Sequence, residues 1–133
     1  MYYMNNNSNI ILTDKAPAPL GTYSQGVRVG NTVYLAAQTP VVPETNEIAE
    51  GGFEGQLHQT FRNLRAMAEA CECTLANVVQ VTVYITDISK FQIMNSIMAE
   101  YFPKPYPART TVGAASLARG TLVAIDAILV LPD

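Results

Sequence analysis

Residues 53–71 read FEGQLHQTFRNLRAMAEAC, and residues 78–86 read VVQVTVYIT. In the first segment the apolar residues recur at spacings of four, three, four and three, which predicts one continuous face of a helix. Those residues are Leu57, Phe61, Leu64, Ala68 and Cys71. Polar residues largely fill the opposite side, namely Gln56, Gln59, Arg62, Arg65, Glu69 and Glu72. The second segment is β-branched and alternating, which is typical of a strand. One face of that strand carries Val79, Val81, Val83 and Ile85.

The segments on either side predict further strands and a second helix. The strands are expected at residues 23–29, 32–37, 108–113 and 121–131, with Gly30-Asn31 as a hairpin turn and residues 10–13 as a further candidate strand start. Residues 39–52 contain prolines and glycines and are expected to form a loop. The second helix is expected to begin near Asp87 and Ser89 and to end before Pro103. The predicted order is ββαβαββ.

This order predicts an α/β (α+β) domain with a single mixed sheet and two helices. Right-handed crossovers would place both helices on one face of that sheet. The other face would remain uncovered, yet it would carry apolar residues, among them Val78, Tyr84, Ile128 and Val130. An apolar uncovered face needs a partner, so we expect oligomerisation into a closed ring. The domain is expected to span residues 10–133, after a flexible polar lead-in at residues 1–9.

Composition supports this interpretation and narrows the function. Hydrophobic residues make up 49% of the 133 residues and charged ones only 14%, against about 25% charged in typical domains. This balance excludes a disordered chain. The net charge is −3, and the eight Lys and Arg residues are scattered, which disfavours nucleic-acid binding. No apolar run approaches the length of a membrane span, and the start lacks the features of a secretory signal. We therefore expect a cytoplasmic protein.

Most familiar enzyme motifs are absent, including G-x-G-x-x-G, G-x-x-x-x-G-K-[ST] and H-E-x-x-H. His58 is the only histidine, and without an orienting partner it is expected to be a solvated surface side chain. Cys71 and Cys73 lie one residue apart, a spacing that strains a disulfide and makes a poor metal site. They are expected to be reduced thiols near a helix end.

Arg109 opens a predicted strand that is otherwise uncharged. A guanidinium at the edge of an apolar sheet is costly unless it has an anionic partner. One hypothesis is a structural ion pair with Asp126 or Glu100. The other is a fork that binds the carboxylate of a ligand through two parallel hydrogen bonds. Polar candidates near such a ligand are Tyr23, Gln25, Asn95 and the backbone amides near Gln38 and Thr111.

Four segments in order resemble the YjgF/RidA family, which is also called endoribonuclease L-PSP or translation initiation inhibitor. They are APAPLGTYSQG at residues 16–26, VTVYITD at residues 81–87, Phe91 with Asn95, and YPARTTV at residues 106–112. Each motif is weak alone, but four in register make a specific match. The resemblance extends from about Lys15 to Leu131.

The resemblance implies a chorismate-mutase-like fold in a homotrimer, with the sheets forming a central barrel and three ligand clefts between subunits. It also implies hydrolysis of reactive enamines and imines, such as 2-aminoacrylate, to 2-keto acids and ammonia, without a metal or organic cofactor. By position, Arg109 corresponds to the arginine that holds the substrate carboxylate, Tyr23 to the cleft tyrosine and Asn95 to a cleft asparagine. Ala37, Gln38 and Thr111 are the other expected substrate-binding residues.

Several positions differ from the family pattern. Ala36-Ala37-Gln38 stands where RidA-like deaminases have Ser-Gly-Gln, Thr111 replaces a cysteine, and Ala124 replaces the first glutamate of E-I-E-A. In the deaminases that glutamate helps to hold the attacking water. Asp126 matches the second glutamate of the motif and shares the face of residue 124.

Three functions are therefore compared. The first is a RidA-type deaminase in which Arg109 anchors the substrate and Tyr23 positions water. The second is a non-catalytic trimer that binds small carboxylate metabolites. The third is a ribonuclease, which the family label suggests, but which the net charge and the lack of a basic stripe disfavour.

Overall fold

The computed structural model describes residues 9–133, so residues 1–8 of the predicted lead-in lie outside the described part of the chain. In chain order, the strands and helices are β1 (Ile10–Ile11), β2 (Gly26–Val29), β3 (Thr32–Gln38), β4 (Val41–Val42), β5 (Glu47–Ile48), α1 (Gly52–Ala70), β6 (Val78–Ile85), α2 (Phe91–Tyr101), β7 (Ala108–Gly113) and β8 (Val123–Val130). Within residues 9–133, neither helix is long and apolar enough to cross a membrane.

Six strands form one mixed sheet in the order β1-β2-β3-β8-β6-β7. Only β6 and β7 pair in parallel, and α2 connects them, while the other neighbours pair antiparallel. The predicted mixed sheet with two helices is confirmed. A separate hairpin of β4 and β5 lies inside the segment that was predicted to be a loop.

Both helices pack on the same face of the sheet and enclose one apolar core. α1 contributes Leu57, Phe61, Leu64 and Met67, and α2 contributes Met94, Ile97 and Met98. The sheet meets them with alternate residues of its central strands, among them Val33, Val81, Val83, Ile125 and Leu129, all fully buried. Apolar burial of this kind supplies most of the favourable free energy of folding. The helix periodicity in residues 53–71 therefore marked the core correctly.

The opposite face of the sheet has no covering layer within the described chain. Tyr34 is 51% exposed on this open face, and Val27, Val112 and Val130 are each more than a third exposed. The strand register places Tyr34 between Val27 and Ile128 in one cross-strand row. Apolar side chains therefore lie exposed on the side of the sheet that the helices leave free, interspersed with the polar Gln80, Thr82 and Asp126.

The predicted alternation of β6 is wrong at its first two residues. Val78 was assigned to the open face, but it is only 5% exposed and joins the core, whereas Val79 is 47% exposed. The register with β8 shifts between Val78 and Gln80, as in a β-bulge. An extra residue in one strand inverts the side-chain direction, so strict period two holds only from Gln80 onward.

Gln59 was predicted on the polar side of α1 but is buried, and Asn63 of the same helix is buried as well. Asn63 Nδ2 donates to the backbone oxygens of Thr39 and Val41, at 2.9 and 2.8 Å. Gln59 Nε2 in turn donates to Asn63 Oδ1 at 2.9 Å. Buried amides with satisfied hydrogen bonds are tolerated, and these ones tie α1 to the segment that follows β3.

The core assignment predicts a large difference between two leucines. Leu57 is fully buried, whereas Leu12 is 77% exposed. Leu57→Ala should lower the free energy of unfolding by about 2–5 kcal/mol, since it removes buried methyl groups and leaves a cavity. Leu12→Ala should change it by less than about 0.5 kcal/mol. Urea unfolding at matched protein concentration measures both, and equal effects would contradict the assignment of the core.

Candidate functional site

Arg109 lies near the start of β7, aligned with Val81 of β6. Its side chain therefore projects toward the helix-covered side, beside α2. Nη1 donates to Asn95 Oδ1 at 2.7 Å, and the guanidinium carbon lies 5.3 Å from the centre of the Phe91 ring. A flat cation over an aromatic face is a favourable contact. Helix α2 thus fixes the orientation of the guanidinium at the sheet edge.

Neither ion pair of the first hypothesis, with Asp126 or with Glu100, is formed by Arg109 within residues 9–133. Asp126 is aligned with Thr82 of β6, so it lies on the open face, and its Oδ2 accepts a hydrogen bond from Tyr84 Oη at 3.2 Å. Glu100 makes no hydrogen bond or ion pair with Arg109. A guanidinium has five N–H donors, and within residues 9–133 the hydrogen bonds of Arg109 all leave from Nη1. The N–H groups of Nη2 and Nε are therefore available for a carboxylate fork.

A groove opens beside this arginine. It is lined by Asn95, Met98, Ala99, Tyr106, Pro107 and Arg109. The sulfur atoms of Met94 and Met98 lie 3.8 and 3.7 Å from Arg109 Nη1. These soft neighbours offer no negative charge, so the arginine remains the only charged group of the groove among the described residues.

Thr111 follows Arg109 by two residues and projects to the same side of β7, because it is aligned with Val83. Its Oγ1 is buried, and among the described residues it is the only buried side-chain polar atom without a hydrogen-bond partner. An unsatisfied buried hydroxyl costs about 1–3 kcal/mol. A donor or acceptor from outside the described chain would remove that cost.

Tyr23 lies in a different cavity, of about 290 Å³. The cavity is lined by Pro17, Ala18, Leu20, Gly21, Tyr23, Gln25, Ala36, Ala37, Gln38, Thr39, Val41, Asn46, Ala118, Arg119 and Thr121. Tyr23 is half exposed, and its hydroxyl accepts the amide N–H of Leu20 at 3.4 Å. Gln38 is buried and donates from Nε2 to the backbone oxygen of Ala36 at 3.2 Å.

Three amide side chains, of which Gln25 and Asn63 are buried and Gln56 is partly buried, hold the walls of this Tyr23 cavity. Gln25 bonds to the backbone of Thr13 through both ends of its amide and donates to Pro17 at 2.9 Å. Residues 23–25 do not extend β2 as predicted, because Tyr23 and Gln25 form hydrogen bonds to residues 13–20 instead. Gln56 Oε1 accepts the amide N–H of Leu122 at 2.8 Å. Together with the Asn63 contacts, these bonds fix backbone that surrounds the cavity.

The two groups of predicted site residues do not meet within one chain. Gln38 and Thr111 lie in one cross-strand row, with Ile125 and Val83 between them. Three interstrand spacings amount to about 14 Å, and the two intervening side chains are fully buried. A small ligand therefore cannot touch both groups of a single chain. Tyr23, Ala37 and Gln38 therefore form one group of predicted site residues, whereas Arg109, Asn95 and Thr111 form the other.

Several other candidates are placed away from both groups. His58 is half buried, contrary to the expected surface position, because its Nδ1 lies 2.8 Å from Tyr101 Oη. Cys71 and Cys73 are free thiols, and burial raises the pKa of both. Ala124 is buried and aligned with Tyr84, on the open-face side of the sheet. Within residues 9–133, no three His, Cys, Asp or Glu side chains gather in a metal-binding group.

The sequence did not point to Asn46 and Arg119, which lie at the Tyr23 cavity. Neither belongs to a recognised motif, and each comes from a turn far from Tyr23 along the chain. The sequence shows Arg119 only as an isolated arginine before Gly120, which does not indicate a place at the cavity. Phe91 was recognised, but its position under Arg109 follows from the packing of α2 against β7.

Comparisons with known proteins agree on one family. The family model described as Endoribonuclease L-PSP matches residues 13–131. A 2-iminobutanoate/2-iminopropanoate deaminase of Dermatophagoides farinae is 42% identical over 122 residues, which cover 92% of this chain and 95% of that protein. The mouse protein of the same name is 38% identical, covering 91% of this chain and 90% of its own.

Solved structures give the same result. The crystal structure of RidA from the Antarctic bacterium Psychrobacter sp. has a TM-score of 0.88 and 46% identity, covering 91% of this chain and 98% of that one. The structure of TdcF from E. coli with bound serine has a TM-score of 0.86 and 32% identity, covering 92% and 98%.

The pair of Tyr84 and Asp126 predicts a measurable titration. The negative charge of Asp126 raises the pKa of Tyr84 above its ordinary value, and burial and the hydrogen bond to Asp126 add to this. Asp126→Asn removes the charge that disfavours tyrosinate, so the pKa of Tyr84 should fall. The pKa is measured by following tyrosinate absorbance as the pH is raised. The titration of the Tyr84→Phe variant, which lacks this tyrosine, is subtracted. Asp87→Asn is the control, and an unchanged pKa in Asp126→Asn would contradict the pairing.

Proposed function

The chain belongs to the YjgF/RidA (endoribonuclease L-PSP) family, and we propose that it hydrolyses reactive 2-imino acids and their enamines, such as 2-aminoacrylate, to 2-keto acids and ammonia. The observation that carries this proposal is the half-buried Arg109, which has an ordered guanidinium and no carboxylate partner among the described residues. Relatives named 2-iminobutanoate/2-iminopropanoate deaminase support the reaction class.

Arg109 holds the substrate carboxylate in this proposal. Its contacts with Asn95 and Phe91 fix the plane of the guanidinium before any ligand arrives. A preorganised fork loses little conformational entropy when a carboxylate binds through two parallel hydrogen bonds. The same cation withdraws electron density from the adjacent imine carbon, which favours attack by water.

The complete cleft is proposed to lie between subunits of a homotrimer. Arg109, Asn95 and Thr111 would come from one subunit, and Tyr23, Ala37 and Gln38 from its neighbour. The separation of about 14 Å within one chain supports this division. The apolar open face supports assembly, since Val27, Tyr34, Val112 and Val130 are each more than a third exposed and exposed apolar surface often marks a contact with a partner.

In the proposed reaction, water adds to the carbon of the protonated imine, and the resulting carbinolamine loses ammonia to leave the 2-keto acid. Tyr23 Oη and the Thr111 hydroxyl are the neutral groups available to orient the water. Imine hydrolysis has a low intrinsic barrier, so positioning gives useful acceleration without a strong acid or base. Ala124 corresponds in sequence to the water-holding glutamate of the family, so this chain has no carboxylate at that position.

A non-catalytic carboxylate-binding trimer is the second candidate, and one observation favours it. Among the described residues that line the Tyr23 cavity, none is an Asp or a Glu. Such a protein would bind the same ligands through Arg109 without converting them. A ribonuclease is disfavoured, because the only histidine is engaged with Tyr101 and the basic residues are scattered.

Arg109→Ala should strongly weaken both turnover and binding of a 2-keto acid. The loss should be about 100-fold or more, since two charge-assisted hydrogen bonds disappear together. Arg109→Lys should be intermediate, because it keeps the charge but loses the fork. Arg65→Ala is the matched control, because it removes an arginine of α1 that packs over Tyr101 of α2 and lies outside both groups of site residues. In the turnover assay, a pyridoxal-phosphate dehydratase generates the reactive imino acid and the rate of 2-keto acid release is followed. Binding of the 2-keto acid is measured separately by calorimetry.

The outcomes separate the two candidates. Acceleration by the native protein that is lost in Arg109→Ala supports the deaminase. Arg109-dependent binding without acceleration supports the non-catalytic binder. Keto-acid binding that survives Arg109→Ala contradicts both, since each depends on this guanidinium.

A further inference from the structure

The Tyr23 cavity holds one charged side chain among its described lining residues, and that residue is Arg119. The other lining residues are apolar or neutral, and no carboxylate pairs with Arg119 within residues 9–133. A cavity with one unpaired cation and no acid attracts anions. Because Arg109 belongs to the other half of the site, Arg119 is a second cation that the proposed reaction has not used.

Two turns bring Arg119 to the cavity and hold it there. Its Nη2 donates to the backbone oxygen of Asn46 at 3.0 Å, and its Nη1 lies 3.5 Å from Asn46 Oδ1. Both residues have left-handed backbone, with φ of 59° at Arg119 and 61° at Asn46. Such conformations are uncommon for residues other than glycine and persist where the surrounding structure requires them.

The contact with Asn46 leaves most of the guanidinium free. Arg119 uses two of its five N–H donors, so three remain for a ligand. Asn46 is neutral and fixes the fork without neutralising its charge. An arginine held in this way at a cavity is suited to a carboxylate, whose two oxygens match the spacing of the donors.

We propose that Arg119 binds a second anionic group of the substrate, so that the preferred substrates are 2-imino acids whose side chain ends in a carboxylate. This inference rests on the proposed function, in which Arg109 of the neighbouring subunit holds the first carboxylate. A cavity of about 290 Å³ is at the small end of ligand sites and suits a dicarboxylic acid of about five carbons. Arg119 acts in selectivity, whereas Arg109 is needed for every substrate.

The test compares two keto acids of equal length that differ in one charge, 2-oxoglutarate and 2-oxopentanoate. Calorimetry on the intact native protein should show about tenfold or greater preference for 2-oxoglutarate, from one charge-assisted fork. Arg119→Gln should lose that preference while its affinity for 2-oxopentanoate stays within about twofold. Arg119→Lys should retain part of it.

Arg28→Gln is the matched control, because it removes the same charge at an exposed site where Nε bonds to the backbone of Gly30. The Arg28→Gln variant should keep the native preference for 2-oxoglutarate. A loss in Arg119→Gln alone then reflects a local contact and not the change in net charge. The imino acids of glutamate and norvaline, generated in place by an amino-acid oxidase, give the same comparison for turnover.

A native protein without preference for 2-oxoglutarate, or a preference that survives Arg119→Gln, overturns this inference. Arg109-dependent binding of 2-oxopentanoate in the same experiment would leave the proposed function standing. If neither keto acid binds the native protein, both proposals fail together.

Discussion

The pairing of β6 with β8 on one side and β7 on the other is the constraint on which the site depends. This register places Val83 and Ile125 between Gln38 and Thr111 in a single row. The intervening side chains belong to the core that α1 and α2 cover, so they cannot be displaced to bring the flanks together. The same pairing that stabilises the domain therefore holds the two groups of predicted site residues about 14 Å apart.

The uncovered side of the sheet gives the complementary argument. Only 14% of the residues are charged, so few charged side chains are available to make a second face of the sheet polar. The helices cover one face, and the apolar residues of the other remain exposed in the isolated chain. In the proposed homotrimer, a neighbouring subunit would cover that surface and would also supply the other half of the proposed cleft. Assembly and ligand binding are then consequences of one arrangement.

Much of the fold could be predicted, because α1 and most of the central strands follow simple periods. Leu57, Phe61 and Leu64 identified the core face of α1 from spacing alone. The bulge at Val78 and Val79 could not be predicted, since it depends on the register that β8 imposes. Arg109 was identifiable as an isolated charge in an apolar strand, whereas Arg119 was not, because its place at the cavity depends on two turns that meet only in the folded chain.

The division of the cleft between subunits is tested most directly by mixing two defective variants. Arg109→Ala removes the anchor, and Ala37→Trp fills the Tyr23 cavity, so neither should bind a 2-keto acid alone. In trimers co-assembled from equal amounts of both, about a quarter of the clefts should combine an intact Arg109 with an intact Tyr23 cavity. Calorimetry should then recover about that fraction of native sites. If one chain supplied the whole site, mixing would restore no binding, and the account would be contradicted.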